Sequence, residues 1–229
     1  MKKNLLGFAV LGVLGALSTQ AYAAQIENTT SVGVNLGKYE FDKGASFDEM
    51  SYGITVSNDT KINQKHHVIV DLDALTTQKG EATVGKDKTD KAKVTQYGIK
   101  TGYKYDFATT DNLTLSPKVG LGYEQINLEL TDTNESKLKR LYGEVGVDAN
   151  YVFDNKWSMT PSIAYQKDLD VNDDEKFGKG DAYNAEVKFT KELLSGNQFH
   201  FGPFYKQYEM DKADITLKNY GVKAGFAFN

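Results

Sequence analysis

The chain has 229 residues, no cysteine, a formal net charge of −4 and a mean hydropathy of −0.50. The missing cysteines exclude a disulfide-stapled fold, and the acidic balance argues against nucleic acid as a partner. No run of about 18 apolar residues occurs, so no membrane-spanning helix is expected.

The first element is a secretory leader. Lys2 and Lys3 form its positive region, Leu5 to Leu17 its apolar stretch, and Ala21-Tyr22-Ala23 a small-x-small cleavage site. Cleavage is expected between Ala23 and Ala24. The mature chain, 24–229, loses Lys2 and Lys3, so its formal charge moves from −4 to −6. Polar Gln25, Glu27 and Asn28 follow at once, which disfavours an uncleaved anchor.

Period-two alternation then predicts ten strands, at 30–41, 47–57, 64–75, 93–107, 112–130, 140–153, 156–169, 182–192, 198–209 and 214–228, with eight as the alternative count. The fourth is the clearest. Tyr97, Ile99, Thr101, Tyr103, Tyr105 and Phe107 share one face; Gln96, Gly98, Lys100, Gly102, Lys104 and Asp106 share the other. The fifth sets Leu113, Leu115, Pro117, Val119, Leu121 and Tyr123 against Thr114, Ser116, Lys118, Gly120, Gly122 and Glu124. The seventh behaves likewise around Trp157, Met159, Ile163 and Tyr165.

A soluble β-sandwich also alternates, with its apolar face inward. Four features favour an all-β, antiparallel, up-and-down transmembrane barrel. Several segments reach the ~9–11 residues that cross a bilayer at a tilt. Connections alternate between tight (Asn58-Asp59-Thr60, Ala108 to Asp111, Asp154-Asn155, Leu194 to Asn197) and long (76–92, 131–139, 170–181). Aromatic residues bracket the tight turns, as an interfacial girdle does: Tyr105 and Phe107, Tyr151, Phe153 and Trp157, Phe189 and Phe199, Phe226 and Phe228. Many glycines, among them Gly98, Gly102, Gly120, Gly122, Gly221 and Gly225, lie on the polar face, where a lumen has room beside long charged side chains.

The last segment closes the argument. Tyr220, Val222, Ala224, Phe226 and Phe228 share one face; Asn219, Gly221, Lys223, Gly225 and Ala227 share the other. This aromatic C-terminal strand resembles that of bacterial outer-membrane β-barrels, although Asn229 follows the final aromatic. The whole mature chain is similar in pattern to the small barrels that include OmpA-like and opacity-type proteins. The resemblance implies that Tyr220, Phe226 and Phe228 form the insertion signal and that this strand pairs with the first. It also implies a monomer in the bacterial outer membrane. The partners implied are membrane lipid and lipopolysaccharide, periplasmic chaperones and the barrel-insertion machinery.

Other motifs carry little. Gly80-Glu-Ala-Thr-Val-Gly85-Lys86 has most of a phosphate loop, but Asp87 stands where its Ser or Thr belongs. Asp168-Leu-Asp170-Val-Asn172 opens like a calcium loop, yet Asp173 replaces the turn glycine and Lys179 the bidentate glutamate. Loose ion contact by Asp170, Asp173, Asp174 and Glu175 is the weaker reading beside a solvated acidic loop. His66, His67 and His200 fall near tight turns, away from the outer rim used by omptin-type proteases. No catalytic, cofactor or metal residue is assigned, and the chain is read as a non-enzyme.

The chemistry lies in the lumen. Parity directs Lys100, Lys104, Lys118, Glu124, Glu144, Asp148, Asp168, Glu186, Lys188, Lys206 and Lys223 inward, with Glu49, Asp71 and Asp73. A barrel of 8–10 strands is barely wider inside than its side chains, so such charges either pair and fill it or line a narrow water path. The expected function is a small porin-like channel for ions or polar solutes. The alternatives are a structural or adhesin-like barrel presenting its outer loops and, more distantly, a barrel-embedded hydrolase.

Overall fold

In a computed structural model the chain is described over residues 27–42, 45–84, 87–131, 134–153, 156–172, 178–194, 196–212 and 214–228. The expected leader with its cleavage site at Ala23 and Ala24, the expected turn at Asp154-Asn155, and Asn229 lie outside the described residues. Twelve strands form: β1 (Glu27–Asp42), β2 (Ala45–Lys61), β3 (His66–Thr77), β4 (Gly80–Val84), β5 (Asp87–Tyr105), β6 (Phe107–Ala108), β7 (Leu113–Thr131), β8 (Asn134–Val152), β9 (Trp157–Val171), β10 (Gly180–Glu192), β11 (Gln198–Met210) and β12 (Ile215–Phe228).

Ten of them are staves of a closed antiparallel barrel. β4 is an outer hairpin arm pairing β2 and β5, and β6 continues β5 past Asp106. The remaining strands pair in chain order, and β12 returns to β1 in register from Thr30↔Phe228 to Asp42↔Thr216. Closure gives each ladder a partner and removes the edges, as a sheet in lipid requires. The chain's three prolines, Pro117, Pro161 and Pro203, stand on β7, β9 and β11, and at each the ladder to the preceding stave lapses. A ring nitrogen without a hydrogen cannot donate there.

Two sets of expected connections are corrected. Asn58-Asp59-Thr60 is not a turn: β2 runs through it, and the turn falls at 62–65. There the Asn63 side chain accepts hydrogen bonds from the backbone N–H of Lys65 (3.0 Å) and His66 (3.1 Å), so the turn chemistry belongs to Asn63. The long connections 76–92 and 131–139 are largely strand, within β4, β5 and β8.

The strands also outrun the bilayer. At about 3.3 Å per residue a 19-residue strand is about 60 Å long, and a ~40° tilt leaves about 45 Å against an apolar band of about 25 Å. Where the staves leave that band, their two faces exchange polarity. On β1 the outward row runs Val32, Val34, Leu36 and then Lys38, Glu40, Asp42, while the inward row runs Gly33, Asn35, Gly37 and then Tyr39, Phe41. On β12, outward Phe228, Phe226, Val222 and Tyr220 give way to Lys218, and inward Lys223 and Asn219 to Leu217. On β9, a bulge opposite Leu141 and Tyr142 leaves Leu169 unpaired and turns Val171 inward.

The outer end of the lumen is therefore a hydrophobic core. Tyr39, Phe41, Phe47, Leu75, Val94, Ile126, Leu138, Val171, Tyr208, Met210 and Leu217 pack there as one buried cluster. The barrel is a membrane barrel at its short-turn end and a soluble-type barrel at its long-hairpin end.

Candidate functional site: the charged lumen

Beneath the apolar core lies the chain's single arginine, Arg140, with no exposed surface. It stands at the inner start of the β8 row that continues through Tyr142, Glu144 and Asp148. Its Nε lies 2.9 Å from Asp168 Oδ1 on β9, and its Nη1 3.4 Å from Glu124 Oε2 on β7. Both contacts are electrostatic, off the direction of a hydrogen bond. Nη2 donates to Gln166 Oε1 at 2.9 Å. The guanidinium plane lies between two rings, 4.5 Å from the Tyr142 centroid and 4.2 Å from that of Tyr208.

The surrounding groups continue the network. Tyr208 donates from its hydroxyl to Asp168 Oδ2 at 2.7 Å, and the Gly180 N–H donates to the same oxygen at 2.9 Å. Glu124 Oε1 accepts from Gln96 at 2.7 Å and from Lys206. Gln166 donates to Glu144 at 2.8 Å, and Lys100 bridges Glu144 at 2.9 Å and Asp71 at 3.2 Å. Buried charges are tolerated when paired and hydrogen-bonded in this way. A void of about 10 Å³ lies beside them against Tyr39, Gln96, Glu124 and Tyr208, room for about one water.

Glycine fills this interior instead of emptying it. A Cβ at Gly122 would overlap the Tyr142 ring, which lies across that position on the adjacent stave. The expectation that lumen glycines leave open space is corrected there: the missing side chain is the seat of the ring that stacks on Arg140.

Towards the short-turn end the pairs are wetter. Lys118 donates to Asp148 (2.6 Å) and Ser162 (2.8 Å). Lys223 donates to Glu186 at 2.6 Å and lies 5.0 Å from the Phe204 centroid. Lys104 donates to Asp59 at 2.8 Å, and Lys188, on the same inward row as Glu186, is exposed. Outside the bilayer, the Lys167 ammonium hydrogen-bonded to Asp181 holds that carboxyl below the usual carboxylate range.

Sequence reading missed Arg140, Tyr142, Tyr208, Gln96 and Gln166. Arg140 carried two signals: it is the chain's one arginine, and it has the parity of Glu144 and Asp148. The tempting motifs dissolve. The phosphate-loop match lies on β4 with β5 next in the chain, and Gly85 and Lys86 fall outside the described residues. Of the calcium-loop match, Asp168 is held by Arg140, and Asn172 is engaged with Lys139 N–H and Lys137 C=O. Asp173, Asp174 and Glu175 lie outside the described residues. His66 packs outward on Tyr103 and Tyr105, and His200 lies inward opposite Gly225.

Solved structures share the architecture. The outer membrane protease OmpT from Escherichia coli matches with a TM-score of 0.57 at 9% identity, over 93% of this chain and 99% of that one. The transport unit of the autotransporter AIDA-I from Escherichia coli matches with 0.50 at 7% identity, over 96% and 95%. Ail, the attachment invasion locus protein of Yersinia pestis, gives 0.44 at 13% identity, over 88% and 99%. The comparison with curated proteins gave no match. The family model for the outer membrane protein β-barrel domain matches residues 9–190. With its ten closed staves and apolar belt, the chain belongs to that family of outer-membrane barrels.

Proposed function

We propose that this protein is a closed, non-enzymatic outer-membrane barrel that works through its outward-projecting β-structure, as a structural or surface-interaction protein. The observation that carries this reading is the stacking of two seals in one lumen. The apolar core fills the outer end, and the Arg140 network fills the level below it. An ion crossing would have to displace a packed hydrophobic layer and break buried ion pairs. The structural alternative to a porin-like channel gains from this.

The outer rim supports the same reading. Above the tyrosines of the upper belt the staves carry paired charges at headgroup level: Lys38 with Asp48 (3.0 Å), Lys218 with Asp42 (2.9 Å) and Lys167 with Asp181 (2.9 Å). That mixed, hydrated ring suits contact with lipopolysaccharide while the strands continue outward. A monomer delivered by periplasmic chaperones to the insertion machinery fits the aromatic terminal strand.

The test is solute uptake by liposomes carrying the folded protein. No swelling in isosmotic solutions of small sugars or amino acids is expected. Swelling that scales inversely with solute size would reinstate the channel.

A further inference from the structure

His67, the second residue of β3, has its ring turned into the periplasmic end of the lumen, 7% exposed. Its Nδ1 is 2.7 Å from Asp59 Oδ1 on β2, and its Nε2 is 3.0 Å from Asp106 Oδ2 at the corner between β5 and β6. An ionised carboxylate only accepts hydrogen bonds, so satisfying both requires protons on both ring nitrogens. Only the imidazolium has them.

The local charge count agrees. Lys104, from β5, donates to the other oxygen of Asp59 at 2.8 Å, and Ser116, from β7, donates to Asp106 Oδ1 at 2.7 Å. Two carboxylates and one ammonium leave one negative charge, and a charged His67 cancels it. The neighbouring charges are committed elsewhere: Lys61, its rung partner on β2, to Glu27 at 3.3 Å and Lys118 on β7 to Asp148. His66 faces outward against Tyr103.

We propose that His67 is a proton-dependent clasp on the periplasmic mouth of the barrel. Charged, it ties β2, β3 and the β5–β6 corner together, and through Asp106 it reaches Ser116 on β7. Neutral, it keeps one proton and loses one carboxylate. The corner is where such a loss would be felt. There the long β5 ladder ends at Tyr105, β6 has two residues, and the Asp106 N–H is held by the Lys65 carbonyl at 2.7 Å. The sign follows from the partners: the doubly protonated ring holds both carboxylates, and giving up one proton releases one of them and loosens the mouth.

The experiment uses the full barrel folded in detergent micelles or lipid vesicles. Imidazole nitrogen NMR is followed from about pH 5 to about pH 8, and urea-unfolding midpoints are compared for wild type, His67→Gln and His67→Lys. Heat-modifiable gel mobility confirms that each variant has folded. Both ring nitrogens should carry protons at the acid end, and the wild-type midpoint should fall with rising pH relative to both variants. His67→Lys, a fixed cation, should retain more of the acid-side stability than His67→Gln. A ring that stays neutral in one tautomer throughout, or the same pH slope in wild type and His67→Gln, would overturn the clasp. If neither variant folds, the wild-type ring titration alone decides.

Discussion

Arg140 and Asp168 face each other at 2.9 Å inside the lumen, with no part of either side chain open to solvent. Such a pair is not a reservoir of stability in itself, because desolvation offsets most of its attraction. Its importance is that neither member survives the loss of the other. Arg140→Met leaves Asp168 a buried carboxylate without its cation and Glu124 with Lys206 alone, and should cost about 3–5 kcal/mol. Asp168→Asn, which keeps the shape, should cost less than Arg140→Met. Urea unfolding of protein inserted into lipid vesicles gives both values.

The Tyr142 ring depends on the missing side chain of Gly122. Gly122→Ala should push the ring off the guanidinium and cost about 1–3 kcal/mol by overpacking. Gly122→Ala combined with Tyr142→Ala should be less than additive, since one defect relieves the other. A double-mutant cycle by the same unfolding measurement decides it.

Much of this was legible in the chain because a strand has a period of two. Tyr97 to Phe107 and Leu113 to Tyr123 alternate as strands with one apolar face do, and their length and the tight turns beside them put that face in lipid. The reversal along each strand was less legible. Parity assigns a residue to a face but does not say which environment that face meets at a given height. By parity Tyr39 falls in the row of Asn35 and Leu217 in the row of Asn219, yet both pack the apolar core. Asn58, Asp59 and Thr60 looked like a turn by composition. In the fold Asn58 bonds outward to Asn28 (2.6 Å) and Thr30 (3.1 Å), while Asp59 turns inward to Lys104 and His67. Arg140 was overlooked at a segment boundary, the place where pattern reading is weakest.

The two faces at bilayer height make opposite predictions. Val119, outward on β7 and 54% exposed, should not accept arginine: Val119→Arg should cost about 2–4 kcal/mol if it lies near the bilayer midplane. Thr190→Arg, on the half-exposed inward row of β10, should cost much less. Parity alone suggests that Gln96 would also tolerate arginine, but Gln96 is 5% exposed and bonded to Tyr39 and Glu124. Gln96→Arg should be destabilising, and the three variants should rank accordingly in urea midpoint.

The closing seam carries the targeting prediction. Phe228 and Phe226 lie outward on β12, opposite Thr30 and Val32 of β1, and Phe226 packs on Phe199 at a centroid distance of 5.3 Å. Phe226→Ala with Phe228→Ala should reduce the heat-modifiable, membrane-inserted fraction while total synthesis is unchanged. Tyr220→Ala, at the upper belt, should have the smaller effect. Normal insertion of the double variant would remove this strand from the signal.

The central claim, that the lumen is sealed twice, is tested most directly by planar-bilayer recording. Wild-type protein, shown to be folded by its gel mobility, should give no conductance steps. A variant hollowed in both layers, Tyr39→Ala with Tyr208→Ala and Arg140→Ala, should give them if it folds. Discrete, reproducible steps from the wild type would contradict the account.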